Sequence, residues 1–496
     1  MVVNYSLLGL RSSLLALVTT LIAICSSGLS RTPGEASAPA WLPPATQQQN
    51  SRNQAVWTGN ADQGRGNRLR FRVPPRTLVI LHSLDITGGL HEFHLKTEDH
   101  DDAGDIEAVL ESARASGISW PASSAAASGL QVNVEWPCAP EKGPAKPTAL
   151  PGPRRMLLPR FTSSGIRDFA AECRCIGFGQ AVAVYADPQL SLPEDMLTES
   201  ICISLDRQLR RAAATLRTRI ETALGPIHDL DGDGRLTVVL CGLDQRNHGG
   251  RTESDEVPVL GCVREADFLE SQGATGGDIL YLAPDGLKTG GGSALLAHEL
   301  AHAAVHCRQR ERLRSGKLKI EIPGWFHEAL AHVAEHAAAG PGAYFDQRLA
   351  DFQICPQACP VVTESQFGWQ AGRGGSRVAG FLFLQSSLKH PENVSELLST
   401  CETFEELLDA VLRRPLPECL AEWGPVAAAQ ICRTRPQAIP CLRAGGEQSG
   451  LICGTAFRCW RNDDQALTIE VDASGAAELR LSVVSFRDAD RVAAAN

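Results

Sequence analysis

The feature that most constrains the fold is a helical segment with two histidines four residues apart. Residues 293–307 read SALLAHELAHAAVHC, and Ser293 is a suitable N-cap ahead of the Ala-Leu-Leu turn. His298 and His302 share one face of this helix about one turn apart, and Glu299 lies beside that face. Both imidazoles can therefore reach one cation, and the pattern is typical of a zinc site. The alternative is a helix with two ordinary histidines.

A catalytic zinc site needs a third protein ligand and an open position for water. Val305 and Arg308 stand where the metzincin pattern requires its glycine and its last histidine, so that pattern is excluded. The third ligand must therefore come from another part of the chain.

Two segments together resemble the gluzincin metallopeptidases: HELAH, and PGWFHEALA within residues 323–336. In that family a second helix supplies a glutamate ligand from a Trp-x-x-Glu-Gly-x-Ala-like setting. Trp325, Glu328 and Ala331 match this setting, whereas Ala329 replaces the usual glycine. DLDGDGRLTVVL, GDILYL and GFLFL are similar to segments of the hyicolysin-like and peptidase-MA-like branches, so that the resemblance covers about residues 170–430.

The resemblance implies an α+β fold with a zincin-like catalytic domain. Such a domain has a mixed sheet whose edge strand pairs with the substrate backbone, an active-site helix beneath the sheet, and a helical second lobe. Residues 277–284 are the best edge-strand candidate on this interpretation. Small β-rich domains are expected on either side.

The resemblance also implies the roles of the site residues. His298, His302 and Glu328 would hold Zn²⁺, which lowers the pKa of a bound water to about 7. Glu299 would accept the proton of that water and pass it to the leaving amine.

Other residues near the motifs are candidates for supporting roles. Thermolysin-like relatives have an aspartate four residues after the ligand glutamate; His332 stands there in this chain, and Glu335 is a substitute one turn further on. The tyrosine or histidine that steadies the oxyanion in relatives is not evident. Arg377 is the candidate donor, and an exposed arginine at a helix start is the favoured alternative. His306 and His327 are interpreted as surface or supporting groups.

An acidic loop precedes this region. Asp229, Asp231 and Asp233 begin a D-x-D-x-D-G sequence whose oxygens could gather Ca²⁺. Leu240 occupies the twelfth position, where a calcium loop carries a bidentate acid, so the loop is incomplete. A tight turn leading into a strand is the favoured alternative.

The N-terminus predicts export. Residues 14–25 read LLALVTTLIAIC after Arg11, which is typical of a secretory signal peptide and too short to span a bilayer. Cys25 is an alternative lipid-anchor site, but Ile24 stands where lipoprotein signals usually have a small residue. Sixteen cysteines favour several disulfides in an oxidising compartment. We therefore expect a secreted, periplasmic or cell-envelope protein without a membrane span after signal cleavage.

Composition shifts divide the remaining chain. The predicted parts are a signal peptide (1–30), a linker (31–60), a β-rich N-terminal domain or propeptide (61–150), a zincin catalytic lobe (160–345), a helical second lobe (346–440) and a C-terminal β-rich module (441–496). A formal net charge of −10 gives no basic excess for neutralising phosphates, so nucleic acid is not an expected partner.

These observations predict a secreted zinc endopeptidase that acts on protein or peptide substrates. The alternative is a catalytically impaired zinc-binding protein of the cell envelope that serves as a binding module.

Overall fold

The computed structural model describes the chain in several ranges between residues 57 and 485. These are 57–58, 67–73, 75–86, 89–99, 151–162, 165–178, 182–190, 224–243, 259–269, 274–288, 292–339, 343–363, 375–388, 394–463, 465–474 and 479–485. The predicted signal peptide, Cys25 and all of the predicted linker except Trp57–Thr58 lie outside them. Across the described ranges, no helix is both long enough and apolar enough to cross a membrane.

The described residues form an α+β structure. The strands are β1 (Trp57–Thr58), β2 (Asn67–Val73), β3 (Thr77–Ser83), β4 (Leu90–Asp99), β5 (Arg154–Thr162), β6 (Gly165–Phe178), β7 (Val182–Ala186), β8 (Leu236–Leu240), β9 (Gly261–Val263), β10 (Ile279–Leu282), β11 (Glu447–Cys453), β12 (Phe457–Asn462), β13 (Leu467–Ser474) and β14 (Leu479–Ser485). The helices are α1 (Glu265–Leu269), α2 (Pro284–Lys288), α3 (Gly292–Arg314), α4 (Gly324–Ala339), α5 (Ala343–Ile354), α6 (Gly375–Ser387), α7 (Val394–Thr400), α8 (Phe404–Leu412) and α9 (Leu416–Thr434).

A mixed sheet of six strands lies above the helix that carries the histidine motif. Its order is β5-β6-β7-β8-β10-β9. β7, β8 and β10 run parallel, whereas the other neighbouring pairs are antiparallel. The parallel strands read VAVYA, LTVVL and ILYL and are almost entirely buried. Continuous apolar runs of this kind are typical of strands that are covered on both faces.

The predicted edge strand is wrong. Residues 277–284 contain β10, which is hydrogen-bonded to β8 on one side and to β9 on the other. Among the described strands, β9 forms the edge on this side of the sheet. β9 has only three residues, which is too short for hydrophobic alternation to reveal it.

The helices share one core with this sheet. α3 packs against α1, α4 and α7, and α6 packs against α4 and α5. The core contains residues from the sheet, from α3 and α4, and from the segment predicted as a second lobe, including Val184, Leu240, Leu296, Leu300, Phe326, Phe381, Leu407 and Trp423. The predicted lobes 160–345 and 346–440 are therefore joined by a common hydrophobic core.

Polar side chains hold the connection between α3 and α4 in place. Gln309 donates to the carbonyl of Ile320 and accepts from its N–H, both at 3.0 Å. Arg312, which is buried, donates to the carbonyls of Leu318 at 3.0 Å and Leu398 at 3.1 Å. These bonds fix the path of the chain between the two helices and hence the position of α4 relative to α3.

The first four and the last four strands form one β-sandwich. Its two sheets have the orders β1-β14-β3-β12 and β11-β4-β13-β2, and all of their pairs are antiparallel. Side chains from both sheets meet in a core that includes Val79, Leu81, Phe93, Leu95, Trp460, Ile469 and Val483. Because the strands of each segment alternate within each sheet, neither segment can complete a sheet alone.

This pairing changes the predicted boundaries at both ends of the chain. The ranges 61–150 and 441–496 were predicted as separate modules, but their described strands belong to the same two sheets. Loss of residues 67–99 would remove β3 from the middle of one sheet and β4 from the other. The structure therefore argues against a removable propeptide in the described part of 61–150.

No disulfide is found at nine cysteines of the described ranges. Their thiols are free, namely those of Cys173, Cys175, Cys241, Cys262, Cys307, Cys401, Cys419, Cys441 and Cys459. Burial raises the pKa of the Cys173 thiol to about 11, which keeps it protonated and unreactive. The disulfides expected from the cysteine count remain a prediction.

Because the sandwich is shared, a substitution that destabilises β4 should also destabilise the C-terminal strands. Phe93 is fully buried and its ring lies 5.7 Å from that of Trp460. Phe93→Ala should destabilise the sandwich by about 3–5 kcal/mol and accelerate amide hydrogen exchange in residues 447–474, as measured by mass spectrometry. Glu92→Ala, at an exposed neighbouring position, is the matched control. Faster exchange confined to residues 67–99 would contradict the single sandwich.

Candidate metal centre

The histidine motif lies on α3, as predicted, with both imidazoles turned into one site. The Nε2 atoms of His298 and His302 are 3.2 Å apart. Both side chains are buried, since the residues are only 6% and 9% exposed. Their spacing on the helix places them one above the other on a single face, which is the geometry that two ligands of one ion need.

Glu328 approaches the same point from α4. Its Oε2 lies 3.5 Å from Nε2 of His298, and its Oε1 lies 4.0 Å from Nε2 of His302. Tetrahedral bonds of the length found for zinc place ligand atoms roughly 3.3 Å apart. The three donor groups are thus spaced as ligands of one tetrahedral cation, and they form one of three such groups in the described residues.

Glu335 and His332 lie behind His298. Oε2 of Glu335 is 3.3 Å from Nδ1 of His298 and 2.8 Å from Nδ1 of His332. If His298 donates through Nδ1, its Nε2 lone pair is directed into the site, which is how a carboxylate orients a ligand histidine. The structure therefore places Glu335, and through it His332, in contact with the site.

His298, His332 and Glu335 form a second group with metal-ligand spacing. One observation favours the first group over this one. The Glu335 side chain is only 2% exposed, whereas that of Glu328 is 28% exposed and leaves access for water or substrate.

The two histidines of the site differ in their protonation. Burial alone would lower the pKa of His298, but its contacts with Glu328 and Glu335 outweigh burial and raise this pKa to about 10. Burial and the neighbouring His327 hold the pKa of His302 well below its usual range. One imidazole is thus protonated and the other neutral near pH 7.

Glu299 is buried beside the metal-ligand group. It is 3% exposed, and its Oε2 has no hydrogen-bond partner among the described residues. Burial raises its pKa to about 7, although His298 and Arg377 act in the opposite direction. A carboxyl group with a pKa near neutrality is suited to proton transfer.

Arg377 at the start of α6 reaches the Glu328 carboxylate. Its Nη1 lies 3.2 Å from Oε2 of Glu328. Burial alone would raise the pKa of Glu328, but Arg377 and the two histidines hold it well below its usual range. The alternative from the sequence analysis was an exposed arginine at a helix start. The structure instead shows a partly buried arginine in contact with Glu328.

Two histidines that the sequence analysis assigned to surface or supporting positions lie close to the site. The ring of His327 is 4.4 Å from that of His302, and the ring of His306 is 5.1 Å from that of His327. His306 is 8% exposed, and its Nδ1 lies 4.0 Å from Oε1 of Glu265. The sequence carried a signal for both positions. His306 follows His302 by four residues, which places it on the same helix face, and His327 directly precedes Glu328.

Of the three predicted calcium residues, the structure brings Asp229 and Asp231 within ligand spacing of each other but leaves Asp233 out of that group. Asp229 accepts hydrogen bonds from the N–H groups of Gly232 and Gly234, and Asp233 accepts one from that of Arg235. These bonds form a turn that leads into β8. The group with metal-ligand spacing here is Asp229, Asp231 and Asp278, without Asp233.

Comparison with known proteins gives no family for this chain. A scan against protein-family models finds no match, and a search of the curated proteins finds none. The interpretation of the site therefore depends on its geometry and on the sequence motifs.

The protonation of His298 predicts that metal uptake releases a proton. Near pH 7.5 the metal-free protein should release about one proton on binding Zn²⁺, because the imidazole must lose its proton to become a ligand. Calorimetric titration in buffers of different ionisation enthalpy measures this number. Glu335→Gln removes a group that raises the pKa of His298, so it should reduce both the release and the zinc affinity. Glu321→Gln, at an 85% exposed side chain, is the control; binding without proton release would contradict the pairing of His298.

Proposed function

We propose that this chain is an exported zinc-dependent endopeptidase of gluzincin type that hydrolyses peptide bonds. One observation supports the proposal most. The donor atoms of His298, His302 and Glu328 lie within 4.8 Å of one another beside the buried carboxylate of Glu299. Two metal ligands and a carboxyl base are thereby held on one helix, and the third ligand is on its neighbour.

The chemistry of the donor set favours zinc. Two imidazoles and one carboxylate suit Zn²⁺, and three protein ligands leave a coordination position for water or substrate. Bound Zn²⁺ would lower the pKa of a coordinated water to about 7 and would polarise a carbonyl oxygen. The spacing of the three donor groups is compatible with this ion.

Glu299 is proposed as the general base. Its carboxylate would accept the proton of the attacking water and then donate it to the leaving amine, so one group serves as base and then as acid. Its burial supports this role, because a desolvated carboxylate is more basic than an exposed one and has a pKa near 7 here.

Arg377 is proposed to stabilise negative charge at the reacting carbonyl. Its guanidinium is next to the ligand carboxylate, 3.2 Å from Glu328, and its side chain is 23% exposed. A cation at this place would act on the charge that develops in the transition state. Glu335 would keep Nε2 of His298 directed toward the metal.

The second candidate function is a zinc-binding module of the cell envelope that performs no hydrolysis. The contact between Arg377 and Glu328 favours it, since an arginine engaged with a ligand carboxylate is not directed at a substrate oxygen. Both functions require zinc at the same three ligands, and only one requires Glu299.

Replacement of the base separates these two functions. Glu299→Gln should lower kcat/KM on a quenched fluorescent protein substrate by about 10²–10⁴-fold, because the amide cannot accept the proton. Zinc content, measured by atomic emission, should stay at the level of the unmodified chain. Glu321→Gln is again the control. An unmodified chain that binds zinc but shows no chelator-sensitive hydrolysis would support the binding module.

Replacement of the carboxylates identifies the third ligand. Glu328→Ala should lower zinc affinity by more than about 100-fold, which exceeds the range of about 10–100-fold typical of residues that only orient a ligand. Glu335→Ala should fall within that range. Competition with a fluorescent zinc chelator measures both affinities, and the reverse ranking would indicate that the metal binds at His298, His332 and Glu335.

A further inference from the structure

The edge strand β9 approaches α3 directly above Glu299. Gly261 pairs with Leu282, whose side chain lies in the core shared with α3. Residues that are directly opposite in an antiparallel pair project to the same face of the sheet. A side chain at position 261 would therefore point toward α3.

The space for such a side chain is already filled. An ideal Cβ on Gly261 would lie 2.6 Å from Oε1 of Glu299 and 3.0 Å from its Cγ and Cδ. Real Cβ atoms essentially never show contacts under 3.0 Å, so either the strand or the carboxylate would have to move. The bare backbone of Gly261 thus forms one wall of the place that the Glu299 carboxylate occupies.

β9 is anchored at both of its ends. The N–H of Ala283 donates to the carbonyl of Leu260 at 2.8 Å. Arg264, directly after the strand, donates to Asp267 at 2.9 Å and to Asp168 at 2.6 Å. Withdrawal of the strand would break these bonds, and two of them join charged groups that are partly or fully buried.

The Glu299 carboxylate can move more easily than the backbone of β9. Its Oε2 has no hydrogen-bond partner among the described residues. At this oxygen the carboxylate is therefore held by packing and not by a hydrogen bond. Rotation of the Glu299 side chain would relieve the contact without disturbing the backbone of α3, which carries His298 and His302.

We infer that Gly261 is a positioning residue for Glu299: the missing side chain lets the carboxylate stand beside the metal-ligand group. This inference rests on the proposed function, in which Glu299 is the base. A methyl group at position 261 would displace the base while leaving the ligands in place. Displacement of a reacting group by about 1 Å can cost about 10²-fold in rate.

The test is Gly261→Ala in the full chain. We expect kcat on the fluorescent protein substrate to fall by about 10- to 100-fold, with KM within about twofold and zinc content unchanged. Gly242→Ala is the matched control, since Gly242 follows β8 of the same sheet and a Cβ there would meet nothing within 4 Å. Wild-type kcat in Gly261→Ala, or loss of its zinc, would overturn the inference.

A double substitution distinguishes positioning from general damage. If Gly261 acts only through Glu299, Gly261→Ala should cause no further loss of activity in a Glu299→Gln background. An equal further loss in that background would show that the methyl group disturbs something else, and would overturn the inference.

Crystal structures of the unmodified chain and of Gly261→Ala provide a readout that does not depend on activity. A shift of the Glu299 carboxylate with α3 unmoved is expected, and an unmoved carboxylate would overturn the inference even if no hydrolysis occurs. If the unmodified chain is inactive, the proposed function fails and these structures still decide whether Gly261 positions the Glu299 carboxylate.

A rescue experiment applies if Gly261→Ala fails to fold. Addition of Glu299→Asp, which shortens the side chain by one methylene, should then restore folding, and failure to do so would overturn the inference.

Discussion

Mutual neutralisation of buried charges between α3 and α4 is the interaction on which the site depends. His298 lies between two carboxylates, with Nε2 at 3.5 Å from Glu328 and Nδ1 at 3.3 Å from Glu335. A buried ion without a partner costs several kcal/mol, so Glu335, whose side chain is only 2% exposed, could not stay ionised here without a positive neighbour. The proton on His298 supplies positive charge here, together with Arg377 beside Glu328. A divalent cation at the same point would replace the proton, and the arrangement is therefore already favourable for metal.

The fold limits how many independent parts must be placed correctly. His298, Glu299 and His302 are fixed relative to one another by a single helix, so only Glu328 depends on tertiary structure for its position. That dependence is met by the bonds of Gln309 and Arg312, which hold the connection between the two helices. The site is thus a property of a helix pair, and the mixed sheet adds strand β9, which lies over the Glu299 carboxyl group.

The sequence predicted what is local. The spacing of His298 and His302 required one helix and one face, and the Trp325 to Ala331 segment marked the second helix; both helices are present. Pairing of residues 67–99 with 447–485 could not be predicted, because hydrogen bonds between strands so distant in sequence leave no periodic signal in either segment.

The edge strand of the mixed sheet was predicted wrongly for a different reason. ILYL is the continuous apolar run of a central strand, and this signal was available, whereas the true edge strand has only three residues. The contact of Gly261 with Glu299 joins two positions 38 apart in the chain, and glycine alone does not indicate what it faces.

The role of Arg377 bears on the choice between hydrolysis and simple binding. A tyrosine or a neutral histidine supplies one N–H or O–H donor to an oxyanion, and engagement with a ligand carboxylate would use that donor up. A guanidinium has five N–H donors in a fixed fork, and the contact with Glu328 involves Nη1. A cation bound to Glu328 would weaken the ion pair between Glu328 and Arg377, because the cation and the guanidinium would compete for the same carboxylate oxygens. The contact between Arg377 and Glu328 is therefore compatible with a guanidinium that would turn toward substrate when a cation is bound. A module that only bound zinc would have no need for a buried acid of near-neutral pKa beside its ligands, and the position of Glu299 favours the hydrolytic function for that reason.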